Sequence, residues 1–239
     1  KRLFHPGGDN VAEKISKENL ALLIASHELI AVSDLLYESF GSRLKLIEVV
    51  RHPVHLFNNV RDYTATFERS REFTLSFEVN GVKVPWFAAQ WANEFVNSSV
   101  TDRALLSIAR MQSEMISAID SIDAAQKPLL VLSFENTVIQ PQDSINKLEK
   151  FLDRQSTRRT KRVLKQQNLP RQQISVGKAT SSYSFTSSRS SSESGTYKKI
   201  LSEIQASGTA SAIAEFKTAV SIYNSRWPSQ LNAFENLWA

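Results

Sequence analysis

Apolar residues along this chain follow two rhythms. Short continuous runs at 21–25 (ALLIA), 44–50 (LKLIEVV) and 129–134 (LLVLSF) have polar or turn-forming flanks and predict buried strands. Longer stretches repeat apolar residues every three or four positions, as one face of a helix requires. Residues 33–40 (SDLLYESF), 54–68, 101–122 and 144–152 read this way. In 54–68 the stripe is Leu56, Phe57, Val60 and Tyr63. In 101–122 it is Leu105, Ile108, Met111, Met115 and Ile119. Ser33 or Asp34 is placed to cap the first helix and Gly41 to end it. Residues 73–84 alternate on either side of Asn80-Gly81, a strong hairpin signal. The segment 85–95 (PWFAAQWANEF) is aromatic-rich, and 198–205 and 210–225 return to helical spacing.

The order strand, helix, strand, turn, helix predicts an α/β domain with a parallel sheet and crossover helices. A length of 239 residues suits one domain. Its parts are a core at 20–152, a basic and Ser-rich segment at 153–197, and C-terminal helices at 198–239. Between 154 and 171 stand Lys and Arg residues with no acid among them, and 177–197 is rich in Ser. No apolar run approaches the ~20 residues of a membrane span. The longest, at 20–32, is interrupted by Ser26, His27 and Glu28. A chain that begins with Lys1 and shows no signal peptide predicts a cut N-terminus and a cytoplasmic protein.

Charge and rare residues narrow the chemistry. A net charge of +5 suits an anionic ligand without demanding nucleic acid. The absence of cysteine excludes a disulfide framework, a thiolate zinc site and a cysteine nucleophile. Only four histidines are present, so a His-rich metal site is not expected.

The segment LIEVVRHPVHLFNN (46–59) places Arg51 where a buried strand gives way to a helix opened by Pro53. An arginine at the carboxyl end of a parallel strand points into the crevice where α/β ligands bind. Its guanidinium can hold a phosphate through two hydrogen bonds. The helix N-terminus should add free N–H groups and a positive dipole end. The structural alternative is a salt bridge from Arg51 to an acidic neighbour.

This segment resembles the PAPS-dependent sulfotransferase family, in which PAPS is 3′-phosphoadenylyl sulfate. In that family an Arg and a Ser eight positions later grip the 3′-phosphate. Arg51 matches, and Asn59 stands at the serine position. LLIASHELI (22–30) is similar to the strand that carries the family's catalytic base. The resemblance implies His27 in that role, or Glu28 as other branches use a glutamate. LLVLSFENTVIQPQDSINKLEKFL (129–152) is similar to a late, mainly structural part of the family, with Glu135 in its acidic turn. Arg189, Gly195, Tyr197 and Lys198 occur in the order of the loop that closes over the nucleotide, though a Ser-rich linker is the equal alternative. Trp86, Phe87 and Trp91 resemble an acceptor-side segment, with core packing as the competing reading.

The resemblance implies a three-layer, P-loop-like fold and PAPS as co-substrate, with no metal. The acceptor would carry a hydroxyl or amine, as a carbohydrate or small molecule does. The family's Lys-x-Gly-Thr/Ser-Thr donor loop does not occur in the 239 residues, and Pro6-Gly7-Gly8 does not replace it. This polypeptide alone is therefore expected to show little or no turnover. Two further readings stay open: another P-loop-type nucleotide transferase, and a non-catalytic nucleotide- or polyanion-binding module using the basic run.

Overall fold

Two apolar runs pair side by side. Strands β1 (Leu46–Val50) and β4 (Leu129–Ser133) form a parallel ladder in the register Leu46 to Leu129 through Val50 to Ser133. The computed structural model describes residues 11–18, 21–25, 29–67, 75–171, 174 and 193–228. Its first helix is α1 (Val11–Lys17), followed by α2 (Ser33–Phe40), which precedes β1. The crossover from β1 to β4 holds α3 (Pro53–Thr66), the hairpin β2 (Ser76–Val79) and β3 (Val82–Pro85), α4 (Ala92–Asn97), and α5 (Val100–Ala124). After β4 come α6 (Phe134–Ile139), α7 (Pro141–Leu152), α8 (Arg158–Gln166), α9 (Glu193–Ser207) and α10 (Ala210–Arg226). The described chain is thus mostly helical, with a small parallel sheet flanked by helices.

Local chemistry explains the boundaries. Asn80 and Gly81 both take positive φ (53° and 78°), the backbone of a two-residue turn that matches strand twist. The α5 helix starts at Ser99, whose hydroxyl accepts the Asp102 N–H at 3.1 Å. Asp102 Oδ1 in turn accepts the Thr209 N–H at 2.8 Å, which ties the start of α10 to the start of α5. Gly208 makes that approach possible, because a Cβ there would stand 3.1 Å from Leu105 Cδ1 of α5.

Packing follows the helical stripes. Phe57, Leu105, Ile108, Ile204, Phe216 and Val220 join α3, α5, α9 and α10 in one core. A second core beneath the sheet unites Tyr37, Leu46, Val50, Ile119, Ile122 and Tyr223. The Tyr37 hydroxyl donates to the Pro128 carbonyl at 2.7 Å, which docks α2 at the start of β4. Ion pairs Arg61–Glu203 and Arg110–Glu215 lace the outer helices together.

Two sequence expectations fail. Residues 21–25 form no strand: they join no ladder, and Leu22 and Leu23 are 73% and 82% exposed. A strand needs a neighbour's backbone groups along its length, and apolar composition alone does not supply one. The α2 helix is also not capped by Ser33 or Asp34. Val32 holds the cap position with no side-chain hydrogen bond, while Gly41 ends the helix at φ 56°. Both begin from the same weakness, a short segment read without its tertiary contacts.

Burial predicts the outcome of two substitutions. Phe216→Ala, at a site with no exposure, should cost about 3–5 kcal/mol of stability. Leu23→Ser should stay within about 0.5 kcal/mol, as exposed changes do. Urea melts of both variants check this. A large loss at Leu23 would show that 21–25 is packed after all.

Candidate functional site

The register of the sheet creates the site. Because Val50 lies opposite Ser133, Arg51-His52 and Phe134-Glu135 leave the sheet side by side at its carboxyl end. Glu135 is 2% exposed. Its Oε1 accepts the His52 backbone N–H at 3.0 Å, and its Oε2 accepts the Tyr223 hydroxyl at 2.6 Å and the Ser133 hydroxyl at 3.1 Å. Three donors offset what burial of a carboxylate costs. Burial, and then the charge of Glu135, push the Tyr223 phenol far above its ordinary value, so it remains a donor.

Arg51 stands above this hub in a different condition. Its guanidinium lies 4.8 Å from the centre of the Phe134 ring. Its Nε is buried without a hydrogen-bond partner, and the guanidinium enters no ion pair among the described residues. Glu135 attracts it electrostatically but has already committed its oxygens to other donors. A second guanidinium stands near. The Arg171 backbone N–H donates to the Val138 carbonyl at 2.8 Å, one turn along α6 from Phe134. Arg171 Nε is likewise buried without a partner, while its Nη1 donates to the Ile174 carbonyl at 3.4 Å. Burial first, and then Arg171, lower the Arg51 pKa, yet a guanidinium stays charged at any working pH. The two guanidiniums thus bring like charge to the carboxyl end of the sheet.

The expected free N–H groups of α3 do not contribute. Pro53 has none, the Val54 N–H goes to His52 Nδ1 at 3.2 Å, and the His55 N–H goes to the His52 carbonyl at 2.9 Å. The helix is therefore capped by its own histidine, and the positive field at the strand ends comes from arginine side chains.

Accepting from Val54 places the neutral His52 proton on Nε2. Burial lowers the His52 pKa to about 4, partly offset by Glu135 and Asn224. Burial, with His52 and Arg51 nearby, lowers His55 to about 3. The Tyr197 hydroxyl of α9 lies 2.6 Å from His55 Nε2. This contact and the Arg61–Glu203 pair lay α9 alongside α3, with its first turns next to the strand ends.

The proposed residues divide into groups. His27, Glu28 and Arg189 lie outside the described residues. Arg51 occupies the strand exit as expected from its position in the sequence. Asn59 is exposed on α3, one turn beyond His55 and on the same face. Gly195 lies in the first turn of α9, and Lys198 follows the buried Tyr197 as an exposed residue. Trp86, Phe87 and Trp91 gather elsewhere. Phe87 faces Tyr63 at 6.5 Å, about 15 Å along the α3 axis from Pro53. Trp91 packs on Phe95 and lies under the Arg110 guanidinium. Sequence reasoning missed His52, Arg171 and Tyr223. Position alone marked His52, since the residue before a helix-opening proline is a cap. Nothing in the local sequence marks the other two. Among the described residues no group of His, Asp and Glu could hold a metal ion, and no helix is long and apolar enough to cross a membrane.

The buried groups predict two effects. Tyr223→Phe removes one donor from Glu135 and should cost about 1.5–3 kcal/mol, the range for a hydrogen bond to a charged group. Chemical denaturation measures it, and a change below 0.5 kcal/mol, roughly the size of a surface effect, would contradict the hub. The histidines predict a pH dependence. Both folded-state values lie below the ordinary 6.5, so the unfolded chain binds these protons first as pH falls. Stability should therefore be unaffected by them above about pH 7. It should decline between about 6.5 and 4 by at most ~1.4 kcal/mol per unit for each histidine. Replacing His55 with Gln should flatten that slope.

No protein-family model, no curated protein and no solved structure matches this chain.

Proposed function

We propose that this chain is part of a PAPS-dependent sulfotransferase, which moves a sulfuryl group from PAPS to a hydroxyl or amine acceptor. A carbohydrate or small molecule is the acceptor class of this reading. The observation that carries it is Arg51: a guanidinium at the carboxyl end of a parallel strand, stacked on Phe134 and bonded to no carboxylate among the described residues. The alternative, a structural salt bridge, would have shown Arg51 hydrogen-bonded to Glu135. The Glu135 oxygens instead receive His52, Tyr223 and Ser133.

In this reading Arg51 holds the 3′-phosphate of the nucleotide and Asn59 adds an amide donor from the exposed face of α3. The approach of α9 to α3 through Tyr197 supports a role for Gly195 and Lys198 at the nucleotide edge. His27 or Glu28 takes the acceptor proton as the acceptor oxygen attacks sulfur. The donor supplies an activated sulfuryl group, and the protein supplies position and charge. The three-layer, P-loop-like arrangement belongs to the same proposal. The Lys-bearing donor loop is not among these residues, so the chain should bind PAP, the desulfated product, yet turn over little by itself.

Thermal-shift and calorimetric titrations test this. PAP should stabilise the chain at concentrations where ATP with magnesium does not. Arg51→Ala should weaken PAP binding by about 2–3 kcal/mol, roughly 30- to 150-fold. Unchanged affinity would remove Arg51 from the site. Protection by ATP with magnesium, and not by PAP, would point to a phosphate-transferring enzyme instead.

A further inference from the structure

The basic run at 154–171 folds into a short, well-defined helix rather than a loop. The Thr157 hydroxyl accepts the Arg159 N–H at 3.2 Å, and the Thr160 hydroxyl accepts the Thr157 N–H at 3.1 Å, which closes a capping box. On α8, Arg158, Lys161, Arg162 and Lys165 occupy positions i, i+3, i+4 and i+7. That spacing puts them on one face, in an arc of about 100° and along about 10 Å of axis. All are exposed. Leu164, about 60° around the helix from Lys161, lines with Leu169, Pro170, Ile139, Pro141 and Asp143 a cleft of about 520 Å³ against the α6–α7 corner. The exposure of the four cations makes their face the solvent-facing one.

This face is costly to the free protein. Like charges three and four residues apart repel, and cations in the first turn oppose the helix dipole. No acidic residue occurs in α8. None of these cations enters an ion pair or side-chain hydrogen bond among the described residues. Several cations elsewhere on the protein do meet carboxylates. Arg61 meets Asp62 and Glu203, Arg110 meets Glu94 and Glu215, Lys127 meets Asp34, and Arg226 meets Asp120. A helix that concentrates repulsion on one face and receives no carboxylate is matched by an external polyanion.

We propose that the outer face of α8 is a docking strip for a sulfated polysaccharide, which lies along the helix with its sulfates against Arg158, Lys161, Arg162 and Lys165. A linear chain with closely spaced anions fits a straight row of cations. Single-stranded nucleic acid is a poorer fit, because such sites add aromatic side chains for base stacking and α8 has none. The inference goes beyond the sulfuryl-transfer reading and stands without it.

The test is binding of a fluorescent heparin oligosaccharide to the full chain, read by anisotropy between about 50 and 200 mM salt. The unaltered chain should bind with an affinity that falls steeply with salt. The variant combining Arg158→Gln, Lys161→Gln, Arg162→Gln and Lys165→Gln should bind at least roughly tenfold more weakly and with a shallower salt slope. A control of equal charge loss, combining Arg43→Gln, Lys83→Gln, Lys199→Gln and Lys217→Gln, should lose less than about threefold. Circular dichroism verifies that both variants fold. Arg51→Ala should leave heparin binding unchanged, which keeps this outcome separate from that of the PAP titration. Equal losses in the stripe and control variants would overturn the proposal, since net charge alone would then explain binding. So would a stripe variant that binds normally, or RNA that displaces heparin from the strip at equal salt.

Discussion

The carboxylate of Glu135 is the constraint on which the strand ends depend. It sits in the interior at the exit of β4, where an unpartnered charge would be strongly unfavourable. Three donors from different parts of the chain converge on it: the backbone of His52 after β1, the hydroxyl of Ser133 at the end of β4, and the phenol of Tyr223 in α10. One buried acid thus fixes the separation of two parallel strands and the position of a C-terminal helix.

The same convergence determines what Arg51 can do. A buried acid near an arginine usually claims it, and the arginine then serves only structure. Here the acid accepts from three uncharged donors instead. Its negative field still reaches Arg51 and helps keep that cation at a partly buried position. The guanidinium is held by field and by the Phe134 ring, with hydrogen-bonding capacity left over. Arg171, anchored one turn along α6, adds like charge instead of cancelling it. Two cations thus stand near each other at the carboxyl end of the sheet. The neutral histidines beneath add no charge of their own near neutral pH.

Elements with long, regular patterns were legible in the sequence. The spacing of Leu105, Ile108 and Ile119 announced α5, and Asn80-Gly81 announced its hairpin, because each signal is local and repeated. Apolar composition found β1 and β4 correctly but also suggested a strand at 21–25, since pairing depends on a neighbour that composition cannot reveal. The site was half legible. Arg51 could be placed because a strand exit before a helix-opening proline is visible in one dimension. The closure of α3 by His52, the arrival of Arg171 and the reach of Tyr223 are products of tertiary folding across many residues. The place of Trp86, Phe87 and Trp91 toward the far end of α3 depends on the packing of Phe87 against Tyr63, which the local sequence does not show.

The central claim is that the side chain of Arg51 is held open for an anion at the sheet's edge. Nitrogen-15 NMR of arginine Nε–H groups during a PAP titration tests it most directly. The account predicts a saturable shift of the Arg51 resonance, while those of Arg61 and Arg110, already bonded to carboxylates, stay in place. PAP binding that leaves the Arg51 resonance unmoved would contradict it.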